Sequence, residues 1–172
     1  MGILKEFVKF RKTWKLHGAE LELSKFAVGV NSTVSMQTDR HIVMLDYDIQ
    51  DIDVVRASVK ELQEFWKLTD AYVYKTKHGY HVIMWHAHVP YGRLKQIIEF
   101  AADVDPMYKA ISQQYSHKTL RVAGKYDAQD IKFERIIPGV RMPSLEEWEK
   151  GEMKRKEHDA LLRISNIYVM RK

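Results

Sequence analysis

The stretch "DAYVYKTKHGYHVIMWHAHVP", residues 70–90, limits the possible folds more than any other. Two runs rich in β-branched and aromatic residues flank His78-Gly79, the pattern of two strands around a tight turn. Strands joined this way must be antiparallel neighbours in one sheet. Pro90 lacks an N–H and closes the second strand.

The elements around this hairpin follow from spacing. "HIVMLDYD", residues 41–48, is an apolar run that reads as a core strand. Val55, Val59, Leu62 and Trp66 then recur at helical spacing behind Asp51 or Asp53 as the cap. Tyr91 to about Ala102 forms a second helix, with Leu94, Ile97, Ile98 and Ala101 on its apolar face. Asp105-Pro106 opens a short helix over about Met107 to Tyr115. "KTLRVAGKYD" and "IKFERII" read as strands. Ser144 and Glu147 form a capping box ahead of a long charged helix, whose continuity Gly151 weakens. Near the N-terminus, Ile3, Leu4, Phe7, Val8 and Trp14 among basic residues predict an amphipathic helix that Gly18 ends.

The expected fold class is α+β: an RRM-like or ferredoxin-like split β-α-β-β-α-β sheet with flanking N- and C-terminal helices. Its third strand lies between the first two. The expected division is residues 1–35 for the N-terminal helix and connecting segment, 36–138 for the core and 139–172 for a C-terminal helical extension.

Composition excludes several chemistries. The 172 residues include no cysteine, so disulfides, thiolate zinc sites and cysteine nucleophiles are ruled out. A metal would be held by oxygen or imidazole. Lys plus Arg is 28 against 23 for Asp plus Glu, and the net charge of +5 permits phosphate or nucleic-acid partners without showing them. No apolar run is long enough to span a bilayer, and the N-terminus lacks the apolar core of a secretory signal. A cytoplasmic protein with no membrane partner is expected.

Asp46 and Asp48 end the first strand and face the same way. Their α-carbons are about 7 Å apart at a rise near 3.4 Å per residue. Carboxylates so spaced can converge on a hard cation that borrows the rest of its shell from substrate phosphates. If the first and third strands are antiparallel neighbours, His81 adjoins the pair. Lys75 and Lys77 could hold a triphosphate. The plain alternative is a solvated strand end with a satisfied sheet histidine.

"VMLDYD" resembles the hydrophobic-Asp-x-Asp motif of the archaeo-eukaryotic primase and primase-polymerase superfamily. "TKHGYHVIM" is similar to that family's second motif, with Gly79, Tyr80 and His81 in its places, although Ser or Thr is usual where Gly79 stands. The resemblance covers roughly residues 40–130 and implies an RRM-like catalytic core. It implies that Asp46 and Asp48 carry catalytic Mg²⁺ or Mn²⁺ and that His81 contacts the phosphates of a nucleoside triphosphate. It also implies a third acid, for which Asp105 is taken from "AADVDP", where Asp103 is the other choice and an N-cap ahead of Pro106 is the other role. "LRVAGKYD" is similar to a downstream Leu-Arg-x-x-Gly stretch of the family and would supply Arg121 and Lys125. The implied activity is nucleotide addition to a primer or initiating nucleotide on single-stranded or primed DNA, beside other replication proteins.

Two rival readings remain. His86-x-His88 with Tyr108 or Tyr115 would suit a rolling-circle replication nuclease, whose tyrosine attacks a metal-activated phosphate. A non-catalytic sheet could instead stack unpaired bases on residues such as Tyr74, Tyr80 and Trp85.

Overall fold

The computed structural model describes residues 29–35, 37–122 and 131–169, with side chains described as far as residue 163. The predicted helix over residues 3–16 lies outside them. The described chain is a mixed α+β fold with two antiparallel sheets and four helices.

The central strand, β3 (Arg40–Tyr47), is the predicted apolar run, and Ile42, Val43, Met44 and Leu45 are wholly buried. Burial on both faces requires cover on both sides. Helix α1 (Ile52–Trp66) covers one of them. Asp51 caps it by accepting from the Asp53 N–H, and Val55, Val59 and Leu62 turn inward. The Tyr47 hydroxyl meets Ser58 of this helix at 3.1 Å. Strands β4 (Ala71–Lys75) and β5 (Tyr80–Val89) form the predicted hairpin, followed by α2 (Tyr91–Phe100) and α3 (Pro106–Ser112). In the sheet β5 lies between β3 and β4 and is antiparallel to both, as the split pattern requires.

The rest of the sheet departs from that pattern. Beside β3 lies β2 (Thr33–Ser35), and β7 (Lys132–Ile137) extends the opposite edge beside β4. The strand order is β2-β3-β5-β4-β7. The "TLR" strand, β6 (Thr119–Arg121), pairs instead with β1 (Gly29–Asn31) in a separate two-stranded sheet. Residues 29–35 are therefore strands rather than a connecting segment. Three-residue strands leave too little alternation to detect in sequence.

The last helix, α4 (Leu145–Val169), covers the second face of the sheet. Its capping box forms as predicted: Ser144 Oγ accepts from the Glu147 N–H, and Glu147 accepts from the Ser144 N–H. Arg141 clamps Glu147 with two hydrogen bonds of 2.7 and 2.8 Å. The helix runs unbroken through Gly151. A β-carbon there would lie 2.5 Å from both His86 Cδ2 and the Trp85 carbonyl oxygen, so glycine is what lets the helix backbone rest on β5. Further along, the His158 ring packs on Tyr74 and Trp85, with centroids 4.6 and 5.1 Å away.

Gly151→Ala is expected to cost about 1–3 kcal/mol, as overpacking usually does. Urea unfolding should show a lower midpoint at an unchanged m value. An unchanged midpoint would mean that α4 does not depend on this close contact.

Candidate nucleotide and metal site

Backbone pairing builds the site. In the β3–β5 register, Asp46 stands directly opposite His81, and His81 stands opposite Tyr74 of β4. These side chains share one face of the sheet. The turn between β4 and β5 then folds tightly against the end of β3. Thr76 N–H donates to the Gly79 carbonyl, and Gly79 N–H donates to Thr76 Oγ1. A β-carbon on Gly79 would fall within bonding distance of the Tyr47 carbonyl oxygen and 2.9 Å from the Ile49 nitrogen. Serine or threonine cannot occupy this place without moving the turn. That close approach is the physical reason for glycine here.

Asp46 is mostly buried, and its carboxyl is pushed up to about 7. Burial is the main cause, and the charges of Asp48 and Asp105 add to it. Two of the predicted acids, Asp48 and Asp105, therefore act on the third. Asp48 is exposed just past the end of β3. Asp105 also takes the capping role: its two oxygens accept from the Met107 and Tyr108 N–H groups at 3.0 and 3.1 Å. Its own N–H donates to the Asp46 carbonyl at 2.9 Å, which ties the start of α3 to the end of β3. Capping and proximity to Asp46 are thus both properties of Asp105.

His81 Nε2 lies 3.6 Å from Asp46 Oδ1. The residue is only 5% exposed, and burial, with help from His158 and Arg121, lowers its pKa to about 3. His81 is accordingly neutral at pH 7, and its contact with Asp46 is not an ion pair. Its Nδ1 is buried and has no hydrogen-bond partner among the described residues.

Two cations act on Asp46. Arg121, at the end of β6, is exposed and reaches it electrostatically. Lys118, which the sequence reading did not single out, is buried beside the acids. Its Nζ donates to the Tyr108 carbonyl at 2.7 Å and lies 3.7 Å from the centre of the Tyr108 ring. A lysine in a polar stretch ahead of a short strand gives no sequence signal for burial. The pairing of β1 with β6 is what draws it in.

The other predicted basic residues lie elsewhere. Lys75 pairs with Tyr80, donates to its hydroxyl at 3.1 Å and covers its ring. It shares the Tyr80 face of the sheet, opposite that of Asp46. Lys77 is in the turn, where its carbonyl accepts from the Gln50 side chain. Lys125 lies outside the described residues.

The residues of the rival readings are engaged by the fold. His86 Nε2 meets Glu152 of α4 at 3.1 Å, and His88 Nε2 meets the Trp85 carbonyl at 3.0 Å. The Tyr108 hydroxyl is buried, donates to the Met44 carbonyl at 2.8 Å and has a pKa raised by burial, whereas Tyr115 is exposed. Tyr74, Tyr80 and Trp85 are only 2%, 3% and 0% exposed, so none offers a ring to a base. Exposed aromatic surface on this side belongs to Phe133, which lines a groove between β7 and α4 with Tyr72, Arg155 and Arg163.

Among the described residues, no group of three or more His, Asp or Glu side chains is placed to hold a metal ion by itself. A divalent ion at the acid cluster would take much of its shell from water and substrate phosphates, as Mg²⁺ commonly does. The oxygens such an ion would meet are those of Asp46, whose ionisation Asp48 and Asp105 oppose and Arg121 and Lys118 favour. Among the described residues no helix is long and apolar enough to cross a membrane. Compared with known proteins, the chain matches no family model, no curated protein and no solved structure.

The Asp46 shift has a consequence for stability. The folded chain keeps the Asp46 proton up to about pH 7, while the unfolded chain releases it near 3.9. Between those values the native state binds the extra proton, so this group's contribution to stability falls as pH rises. Without divalent ions, Asp46→Asn is expected to melt several degrees above the wild type at pH 8, with the gap narrowing towards pH 5. Equal melting temperatures at pH 8 would contradict the buried, repelled carboxylate.

Proposed function

We propose that this chain is a primase-polymerase-like nucleotidyltransferase that adds nucleotides to a primer or initiating nucleotide on a DNA template. The observation that carries the reading is Asp46 opposite His81 in the β3–β5 register, with the charges of Asp48 and Asp105 acting on the same carboxylate. The β3-α1-β4-β5 unit has the order and neighbour relations of the first part of an RRM-like catalytic core. We read β2 as standing where the final strand of that core would lie.

In this reading Asp46, Asp48 and Asp105 hold Mg²⁺ or Mn²⁺. When bound, the ion supplies positive charge at the α-phosphate and lowers the pKa of the attacking hydroxyl. Neutral His81 offers an N–H to a phosphate oxygen without adding a charge. Arg121 faces the developing negative charge from the β6 side, and Lys77 is carried by the β4–β5 turn. The 3′-hydroxyl oxygen forms a bond to the α-phosphorus, the α–β bridging bond breaks, pyrophosphate leaves with its electron pair, and the hydroxyl proton passes to solvent.

The test is incorporation of labelled nucleotides on primed and unprimed single-stranded DNA with Mn²⁺. Wild-type chain should extend the primer or make short products. Asp46→Ala or Asp48→Ala should lower incorporation at least a hundredfold while the circular dichroism spectrum is retained. Wild-type activity in either variant would overturn the assignment of that acid.

A further inference from the structure

β7 is the last strand of the five-stranded sheet, and among the described residues no strand lies beyond it. An edge strand turns backbone N–H and C=O groups to its open side, where another chain can pair with them. Its residues Lys132 to Ile136 are all exposed, and two of them are large and apolar: Phe133 is 55% and Ile136 43% exposed.

A regular strand would send Phe133 and Ile136 to opposite faces, because they are an odd number of residues apart. β7 is not regular. Val73 pairs with Arg135 and Tyr74 with Phe133, so two steps along β7 answer one along β4. The irregularity brings both apolar side chains to one face, Phe133 opposite Tyr74 and Ile136 opposite Tyr72. Between them stand Glu134 and Arg135, both exposed and 3.7 Å apart at their charged ends.

Charges usually guard an edge against pairing. The order of these charges instead makes the strand complementary to itself. Two copies of β7 set antiparallel about a two-fold axis between residues 134 and 135 place Glu134 opposite the second copy's Arg135. The same register places Phe133 opposite the second copy's Ile136. Symmetry repeats each pair, and opposite charges and apolar side chains directly across are what stabilise antiparallel strands. A slip of one residue either way sets Glu134 against Glu134 or Arg135 against Arg135, so the charges also fix the register.

We propose that β7 is a self-association edge, through which two copies of this chain pair antiparallel and join their sheets edge to edge. A strand of six residues makes a small interface, so monomer and dimer exchange rather than forming an obligate pair. The inference does not depend on the nucleotidyltransferase reading.

The experiment is sedimentation velocity of the full chain over a concentration series, with folding checked by circular dichroism. Wild type should pass from monomer to dimer and go no further. Phe133→Lys should weaken dimerisation at least tenfold. Arg135→Glu should do the same, because it sets carboxylate against carboxylate, and adding Glu134→Arg to it should restore the dimer to within about threefold of wild type. Phe65→Ser should change nothing, although Phe65 and Phe100 form an exposed stacked pair on α1 and α2, with centroids 4.8 Å apart. A wild type that stays monomeric, or that assembles beyond the dimer, would overturn the proposal. So would a dimer that survives Arg135→Glu, or one that Phe65→Ser dissolves. If Phe133→Lys fails to fold, the exposed charge variants decide.

Discussion

The pairing of β3 with β5 is the contact on which the rest of the structure depends. It buries the apolar run Ile42 to Leu45 at the centre of the sheet and sets Asp46 opposite His81. A slip of one residue would send Asp46 to the α1 face and turn Leu45 towards α4. Gly79 resists such a slip from the turn side. Its missing β-carbon lets the hairpin turn press against the backbone of Tyr47 and Ile49. One backbone contact thus fixes both the core and the position of the acids.

Helix α4 changes what the sheet can do. An open sheet face with aromatic residues would suit base stacking. Here that face is closed by a helix that lies close to β5 at Gly151 and packs His158 on Tyr74 and Trp85. The aromatic side chains become core, and His86 is drawn into contact with Glu152. The exposed chemistry is left at the end of the sheet, where β3 stops and α3 begins. Under the proposed function a nucleotide would approach there, among Asp48, Arg121 and the turn.

Much of this arrangement was legible in the residues. The period of Val55, Val59, Leu62 and Trp66 predicts α1, and of the two expected caps, Asp51 and Asp53, it is Asp51 that takes the place. The hairpin around His78-Gly79 and the Ser144–Glu147 capping box also form where their chemistry places them. Each is a local signal, set by side chains within a turn or two of one another. The strands at 29–35 and the withdrawal of β6 from the main sheet were not legible. Three residues carry no usable period, and the choice of partner for a short strand depends on distant edges. Gly151 reads in sequence as a weak point in a helix, yet it is the place where two backbones meet. Lys118 reads as one more surface cation.

The sequence alone therefore determined the local elements and the pairing logic that brings residues 46 and 81 together. Those features come from hydrophobic period, caps and turn residues, which act over short range. Only the tertiary structure decided which edges the remaining strands took, which side of the sheet Lys75 occupies, and that Lys118 lies buried against Tyr108. Those outcomes arise from competition among distant surfaces for burial. Such competition is resolved only when the helices and both sheets pack at once.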